Sequence, residues 1–449
     1  MTMTTPARHT RADSAHHARV AGTTPERRRL SFPGADIGLS RRRFMQLGAA
    51  GAGGLAMTPL LSHLEAFAAP ALGPHDPILV LVELDGGNDG LNTVCPIGQS
   101  AYYAKRPNIA IPANQALRIN SATGLHPQLD RIKFRYDSGK VAVIRGVGYN
   151  PPDFSHFSSM AYWMQGWGGT SLPYPTGWIG RWADGLPNAA KESLYQVVLD
   201  QSVPLHHVGV NNQASGLPLW VGGAFGMDRD DAWERRLYQT VANYAASGNS
   251  GLGAWGNEIA ATGKQLVQIT GKIGAAYTGE FPDDYFVRQM VLAARLININ
   301  LGIRVITARI GGFDNHSGQG GVAGDHADLM KSLDDGINAF FQTISPTFKR
   351  QTLVMTFSEF GRRPEQNADN GTDHGTSGPV LLIGDLVKGG LYGTQPLVSD
   401  SQLVDYGNLK SFVDFRSVYA TVLRKWMRAD DREILGRRYE LLDCITSAP

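Results

Sequence analysis

Two acid–imidazole pairs in the second half of the chain have the residue types that bind divalent cations. Asp373 and His374 are adjacent in GTDHGTSG (residues 371–378), and Asp314 and His316 stand in FDNH. Carboxylate oxygens and imidazole nitrogens are ligands for Zn²⁺, Mn²⁺ or Mg²⁺. An isolated loop Asp or His is usually only solvated, so a metal site requires that the fold bring the pairs together.

Two further acids have positions that suit the same chemistry. Asp85 follows the apolar run ILVLVEL and opens the glycine-rich stretch DGGNDGLN, and Glu359 stands in SEFGR. Both are candidate metal ligands. The alternative for Asp85 is a capping role in the turn, where Asp and Gly are expected. The alternative for Glu359 is an ion pair with Arg362 or Arg363.

A candidate nucleophile lies in GVGYNPPDFSHFSSM, residues 146–160. Ser155 follows a predicted strand and a proline-containing turn and is expected to open a helix. The amides at a helix N-terminus favour an anion, so an oxyanion or a phosphate group suits this place. Ser155 is therefore a candidate catalytic residue, although a serine at this position can also be only an N-cap. The neighbouring His156 is expected to contact substrate, to bind a metal or to make a structural hydrogen bond.

The elements that would position these residues alternate between strands and helices. Short apolar runs predict strands, and amphipathic patterns predict helices. The predicted strands cover 78–84, 141–146, 304–310, 353–357 and 380–383, and the predicted helices cover 230–246, 283–299 and 326–344. Such alternation indicates an α/β fold with a mostly parallel sheet.

The candidate residues all fall next to predicted strand ends. Asp85 and Glu359 end two strands, the FDNH pair follows a third, and the Asp373 and His374 pair precedes a fourth. Ligands of open α/β sheets bind outside the carboxyl ends of the strands. We therefore expect these residues to form one site if the strands are neighbours. His326 and Asp328, on a predicted helix, are expected to be solvated.

Taken together, the motifs resemble a known family. VELDGGNDGLN, the SHF at 155–157, FDNH, TFSEFGR, GTDHGT and the late DFRSVYATVLRKWM occur in order over nearly the whole mature chain. They resemble the exported family catalogued as domain of unknown function 1501 (DUF1501), which is similar to the alkaline phosphatase and sulfatase superfamily. The resemblance implies an alkaline-phosphatase-like sandwich, with helices on both faces of the sheet and a two-metal site at strand ends. It also implies hydrolysis or transfer of phosphate or sulfate esters.

The resemblance also implies roles for single residues. Asp85 matches the first-strand metal aspartate, and Ser155 falls at the place of the nucleophile. Asp314, His316 and His374 match the ligands of one metal, and Glu359 falls among the ligands of a second. Phe360 stands where that second metal would have a histidine, so the number of ions is one or two, with Asp373 or His156 as substitute ligands. Asp373 could instead orient a histidine as a carboxylate behind it.

These features predict an exported metal-dependent hydrolase of a phosphate or related anionic ester, with a small-molecule or polymeric substrate. The Cys-x-Pro/Ser-x-Arg signature is absent, because Cys95 is followed by PIGQ, and this argues against a formylglycine sulfatase. The alternative, favoured by Phe360, is a non-catalytic exported protein with a degenerate metal site that binds an envelope or extracellular polymer.

Residues 1–68 have the features of an export signal. SRRRFMQ at 40–46 resembles the twin-arginine motif, a weakly apolar Gly/Ala-rich stretch follows, and AFA at 66–68 is a small-x-small cleavage pattern. The alternative is a chance basic run before an amphipathic helix. We expect the twin-arginine machinery to be a partner and the mature protein to be periplasmic or secreted. The remainder, 69–449, is predicted to be one α/β domain with a candidate helical cap at 165–300.

Composition sets three further expectations. The first 68 residues hold nine arginines and four acidic residues, so the rest of this chain of net charge +2 carries a net charge of −3. A mildly acidic body has no electrostatic footprint for nucleic acid. No stretch is apolar and long enough for a comfortable membrane span. The two cysteines, Cys95 and Cys444, allow one disulfide but no cysteine-rich zinc site.

Export is predicted to depend on Arg41 and Arg42. The double substitution to lysine keeps both charges and removes the planar guanidinium groups. We expect it to leave the full-length precursor in the cytoplasm, as measured by fractionation and immunoblotting. Wild-type amounts of the double variant in the periplasm would contradict the assignment.

Overall fold

The computed structural model describes residues 70–166, 175–187, 194–200, 202–212, 214–217, 219 and 272–448. The predicted export signal at 1–68, the predicted helix at 230–246 and much of the candidate cap at 165–300 lie outside these ranges.

A large mixed sheet forms the centre of the domain. Its strand order is β13-β5-β12-β9-β1-β8-β6-β7, with β14 added beside β5, while β10 pairs with β11 and β2, β4 and β3 form a small sheet. The strands are β1 Ile78–Leu84, β2 Val94–Cys95, β3 Leu117–Arg118, β4 Gly124–Leu125, β5 Val141–Gly148, β6 Gln196–Val198, β7 Ser215–Gly216, β8 Val305–Ile310, β9 Thr352–Phe357, β10 Arg362–Gln366, β11 Thr372–His374, β12 Gly378–Ile383, β13 Gly390–Tyr392 and β14 Val413–Asp414.

Most pairs in the large sheet are parallel, as predicted. β1 runs parallel to β8 and β9, and β6 runs parallel to β8. The exception is β12, which is antiparallel to both β5 and β9. The start of β12 therefore lies at the edge where β1, β8 and β9 end. This direction explains how residues before one strand reach residues that follow the others.

Helices cover both faces of the sheet. They are α1 Gly90–Thr93, α2 Ser100–Lys105, α3 Asp130–Asp137, α4 His156–Gln165, α5 Trp178–Asp184, α6 Tyr285–Asn298, α7 Asp325–Thr343, α8 Pro346–Lys349, α9 Phe415–Thr421 and α10 Asp431–Leu435. Short 3₁₀ turns cover Leu205–His207 and Asp400–Gln402, and a π turn covers Val422–Trp426. The helices predicted at 283–299 and 326–344 are confirmed as α6 and α7.

Alternate residues of β1 belong to two different cores. Val80 and Val82 pack in the core that contains α6 and α7, whereas Leu79 and Leu81 pack in the core that contains α4 and α9. Successive side chains of a strand point to opposite faces of the sheet. The predicted continuous apolar run is thus a strand covered on both faces, which is typical of parallel sheets.

The expectation that His326 is solvated is wrong. His326 is fully buried in the first turn of α7, where its Nε2 lies 3.2 Å from Asn88 Oδ1 and its ring meets Phe313 edge to face. The loop that follows β1 covers this end of α7, so the histidine lies beneath it. Asp328, two residues further along the helix, is exposed as expected.

A buried ion pair fixes the loop after β1. Asp89 caps α1, and its Oδ2 lies 2.5 Å from Arg106 Nη1 and 2.5 Å from Gln319 Nε2. Desolvation would raise the pKa of Asp89, but the charge and hydrogen bond of Arg106, together with the hydrogen bond from Gln319, lower it below its usual value. Removing one partner of such a buried pair typically costs about 3–5 kcal/mol.

Cys95 and Cys444 are both buried free thiols, so the disulfide that the sequence allowed does not form. None of the helices in the described ranges combines the length and apolar character that a bilayer crossing needs.

Candidate metal centre

Three loops at one edge of the sheet bring acid and imidazole groups together. His156 begins α4 after β5, Asp314 follows β8, and His374 ends β11 just before β12. One ligand atom from each of these three residues lies within 4.8 Å of the others. The predicted convergence of strand ends therefore occurs for these residues.

Asp314 Oδ1 is the centre of the cluster. It lies 3.0 Å from His316 Nε2, 3.1 Å from His374 Nε2 and 3.4 Å from His156 Nε2. The Nε2 atoms of His316 and His374 are themselves 3.0 Å apart. Three imidazoles thus present the same ring nitrogen to one carboxylate oxygen.

The other ring nitrogen of each histidine has an acceptor of its own. His156 Nδ1 lies 2.7 Å from Glu359 Oε1, and His374 Nδ1 lies 2.7 Å from the Phe154 carbonyl oxygen. His316 Nδ1 lies 3.4 Å from Asp373 Oδ1. A carbonyl or carboxylate oxygen accepts, so Nδ1 donates and, in a neutral ring, Nε2 keeps a lone pair.

These contacts fit a divalent cation. Burial lowers the pKa of His374 and so favours its neutral ring, whose Nε2 lone pair then faces Asp314 and His316 without a proton between them. His156 Nε2 is buried and has no hydrogen-bond partner. Ligand atoms about 2.0–2.1 Å from Zn²⁺ lie about 3.3 Å from one another in a tetrahedral site. The distances of 3.0–3.4 Å from Asp314 Oδ1 to the three Nε2 atoms therefore suit such an ion, and the ligand atoms of His156, Asp314 and His374 all lie within 4.8 Å of one another.

The pKa of Asp314 keeps its carboxyl group ionised. Desolvation alone would raise this pKa, but the hydrogen bond and the charge of Arg362, together with the neighbouring rings of His374 and His316, lower it to about 2. Arg362 Nη2 lies 2.6 Å from Asp314 Oδ1. The fully buried guanidinium therefore maintains a carboxylate at the centre of the cluster.

Arg362 is the site residue whose role the sequence did not predict. It was expected as an alternative partner of Glu359, but it pairs with Asp314, and its Nη1 also lies 3.5 Å from His316 Nε2. The feature of the sequence that could have identified Arg362 as a site residue is its position in TFSEFGR, three residues after Glu359. Sequence spacing does not reveal that β10 turns the side chain toward the loop after β8.

The structure places Glu359 and Asp373 behind histidines, outside the cluster around Asp314. Glu359 is fully buried and also accepts from Gly86 N at 3.0 Å and from Ser358 Oγ at 3.0 Å. Asp373 accepts from Asn367 Nδ2 at 3.2 Å, a bond that lowers its pKa. Carboxylates in such positions fix the tautomer and orientation of a metal-binding imidazole.

Phe360 occupies the space between two of these imidazoles. Its ring centroid is 4.9 Å from that of His156 and 4.7 Å from that of His374, and the residue is buried. The side chain therefore forms an apolar wall on one side of the cluster and contributes no ligand there.

Ser155 lies at the N-terminus of α4 between two residues that contact the cluster. Its Oγ accepts from Ser158 N at 3.5 Å, which is an N-cap, and the residue is exposed. The adjacent Phe154 carbonyl holds His374, and the adjacent His156 belongs to the cluster. The N-cap is thus present, and the catalytic role remains a prediction.

Asp85 is not drawn into the cluster around Asp314. Its Oδ2 accepts a hydrogen bond from Arg309 Nη2, and its backbone pairs with the loop after β8. It lines a cleft of about 330 Å³ that His156 also lines. Its predicted role as a metal ligand stays a prediction.

Glu83, on β1, faces the same cleft and has an unusual pKa. Burial raises its pKa from 4.5 to about 7, while the charge of Arg309 opposes the rise. The folded protein therefore keeps this proton to higher pH than the unfolded chain does. The penalty for ionising the side chain is absent below pH 4.5 and complete above about pH 7.

Glu83→Gln is predicted to improve relative stability as pH rises. Between about pH 4.5 and 7 the variant should gain on the order of 3 kcal/mol over the wild type in unfolding free energy, because glutamine has no charge to desolvate. Denaturant unfolding of chelator-treated protein at pH 5 and pH 8 would measure this difference. If wild type and variant differed in unfolding free energy by the same amount at pH 5 and at pH 8, the raised pKa of Glu83 would be contradicted.

Comparison with known proteins gives distant structural matches, and no curated protein matches the chain. The PsFucS1 sulfatase from Pseudoalteromonas sp. is 13% identical over 82% of this chain and 71% of its own, with a TM-score of 0.35. A protein of the alkaline phosphatase superfamily from Vibrio parahaemolyticus is 10% identical over 83% and 72%, with a TM-score of 0.31. Ps i-CgsB in complex with k-i-k-neocarrahexaose is 9% identical over 81% and 73%, with a TM-score of 0.36. Similarity at this level carries no argument about activity.

The family match is more extensive. The profile described as "Protein of unknown function (DUF1501)" matches residues 176–437, more than half of the chain. The matched part contains Asp314, His316, Glu359, Asp373 and His374, whereas Ser155 and His156 precede it. The resemblance that the ordered motifs predicted is confirmed, and the chain belongs to the DUF1501 family.

Proposed function

We propose that the protein is an exported metal-dependent hydrolase of a phosphate or related anionic ester. The observation that carries the proposal is the convergence of three histidine Nε2 atoms on Asp314 Oδ1, with each Nδ1 held by its own acceptor. A set of three nitrogens and one oxygen favours Zn²⁺ over Mn²⁺ and Mg²⁺, which prefer oxygen ligands.

His156, Asp314, His316 and His374 would hold the ion. When bound, it would supply Lewis acidity that neutralises charge on the ester oxygens and favours deprotonation of an attacking hydroxyl. Glu359, Asp373 and the Phe154 carbonyl would keep the three rings oriented. These residues would bind one ion, and a second ion remains an expectation from the resemblance.

The N-terminus of α4 would bind the anionic group of the ester. His156 is the first residue of this ten-residue helix, and Ser155 Oγ accepts from the Ser158 amide, so the amides of His156 and Phe157 are the first-turn donors left beside the cluster. Such amides and the helix dipole favour an anion. The Ser155 hydroxyl, at the cap of the same helix, would attack the phosphorus of the ester. As the new O–P bond forms, the serine proton passes to water, the bond from phosphorus to the alcohol oxygen breaks, and the alcohol leaves with a proton from water. A water molecule would then hydrolyse the phosphoserine, which releases phosphate and restores the hydroxyl.

Phe360 supports a second candidate function. It lies against His156 and His374, where the resemblance expects a ligand of a second ion. A protein with the fold and one remaining ion could bind an envelope or extracellular polymer without turnover. Turnover of simple phosphate esters by metal-loaded protein separates the two candidates.

The export part of the proposal is supported by sequence features of residues 1–68 alone. The motif at 40–46, the weakly apolar stretch and AFA at 66–68 stand in the order of an export signal. This machinery generally carries folded proteins, which suits a metalloprotein loaded before export.

Metal content is predicted to depend on the histidines. Wild-type protein purified without chelator should hold about one ion per chain, whereas His156→Ala and His374→Ala should hold far less. Glu359→Gln should bind the ion roughly 10–100-fold more weakly, because the carboxylate that orients His156 is lost. Elemental analysis and competition with a chromophoric chelator would measure both effects.

The matched control is His75→Ala, since His75 is exposed and lies outside the cluster. It should keep wild-type metal content. Equal metal content in all of these proteins would remove the cluster as the binding site.

Ser155→Ala is predicted to abolish ester turnover and to preserve metal content. Loss of a covalent nucleophile should lower kcat by roughly 10³-fold or more. Purified wild type and variant would be compared on a panel of phosphate mono- and diesters. Equal activity would show that water attacks directly, and a wild type that binds metal but turns over no ester would favour the binding-protein alternative.

A further inference from the structure

A cleft beside the cluster has one acidic wall and one apolar wall. Its volume is about 330 Å³. The acidic wall includes Glu83 and Asp85, and α4 supplies apolar side chains that include Met160, Met164 and Phe157. His156 lines the cleft as well, so the cleft opens directly beside the proposed reaction centre.

Glu83 is a buried carboxyl group without a hydrogen bond. The residue is 3% exposed, and it accepts no hydrogen bond from any residue that the structure describes. Its nearest cation is Arg309, whose Nε lies 3.5 Å from Glu83 Oε1. Buried polar groups normally have hydrogen-bond partners, and the Glu83 carboxyl group has this ion pair and faces the cleft. This carboxyl group therefore has room for a donor from a ligand.

Arg309 does not neutralise both carboxyl groups of the acidic wall. Its Nη2 donates to Asp85 Oδ2 in a close contact, and only its Nε approaches Glu83. Two acids thus share one guanidinium at this wall.

Acidic side chains continue outside the cleft. An adjoining groove of about 800 Å³ is lined by Asp85 and Arg309 and further by Asp284, Asp325 and Asp328. Asp325 and Asp328 are exposed in the first turn of α7. With Asp200, the described residues that line the groove include five acids and one base, so the region is electrostatically suited to a cation.

The charge decides among ligand chemistries. A hydroxyl could donate to Glu83 but would leave the excess negative charge uncompensated. A second anionic group would be repelled by both acids. A protonated amine supplies donors and a compensating positive charge together, and the attraction between opposite charges is stronger in a partly buried cleft than in bulk water.

We propose that this cleft binds a primary ammonium group on the alcohol half of the substrate, with the ammonium at Glu83 and an apolar carbon chain along α4. The inference has two parts. The first is that the cleft binds an ammonium group. The second, which rests on the proposed function, is that the substrates are phosphate or related esters of amino alcohols. The binding half concerns only the cleft and is testable without turnover.

The test is a binding series of linear aminoalkanols with two to six carbons, each matched to the diol of the same length. Isothermal titration calorimetry or ligand-observed NMR would be carried out on the metal-loaded protein at pH 7.5. At the best chain length we expect the aminoalkanol to bind at least tenfold more tightly than its diol, which corresponds to about 1.4 kcal/mol. Equal binding of amine and diol, or tighter binding of a hydroxy acid of the same length, would overturn the proposal.

Variants locate the binding site. Glu83→Gln should remove the preference for the amine, and the double variant Asp325→Asn/Asp328→Asn should weaken amine binding severalfold through the groove. The matched control is Asp137→Asn, an exposed acid on α3 that is paired with Lys133. Thermal melts would confirm that each variant is folded. An amine preference that survives in folded Glu83→Gln would place the ammonium elsewhere.

Hydrolysis assays separate this proposal from the proposed function. The phosphate monoesters of both series would be assayed with metal-loaded wild type. Amine-selective binding without turnover of any ester would support the cleft and defeat the hydrolase. Turnover with no preference for amine esters would support the hydrolase and defeat the cleft assignment.

Discussion

The geometry of the cluster depends on one buried guanidinium. Arg362 donates hydrogen bonds to the carboxylate of Asp314 and to four backbone carbonyl groups, those of Gly86, Gly87, Phe313 and Thr372. These acceptors belong to the loop after β1, the loop after β8 and the β10–β11 hairpin. A buried arginine is tolerated when its donors have acceptors and its charge has a partner. The same contacts tie three chain segments to one point, so the positions of the histidines follow from them.

The three histidine rings are held with different tightness by the acceptors of their Nδ1 atoms. His156 and His374 make 2.7 Å bonds through Nδ1, whereas the bond from His316 is 3.4 Å and its side chain is 44% exposed. His316 is therefore held less tightly than the other two rings. His316 also lies on the solvent side of the cluster. Its displacement, when an ion exchanges or a substrate group enters, would therefore disturb the other ligands least.

Sequence patterns predicted the elements better than they predicted the contacts. The apolar run at 78–84 and the amphipathic helices α6 and α7 were found where expected, because burial periodicity is a local property. The placement of His374 could be predicted only through its proximity to a strand. That it reaches Asp314 depends on the reversed direction of β12, which sequence periodicity does not encode. The burial of His326 and the orientation of Arg362 likewise depend on long-range contacts.

The order of the ligands along the chain links the site to folding. The bond between His374 and the Phe154 carbonyl joins residues 220 positions apart, and the intervening segments include β8, β9 and the hairpin. Contacts of such long range form late, because loop-closure entropy must be overcome first. A cation that binds only the completed site would stabilise the native state by mass action in proportion to its free concentration and affinity. An ion could then occupy the site only when the whole sheet has assembled. Cation binding would therefore raise the free energy of unfolding of the complete domain.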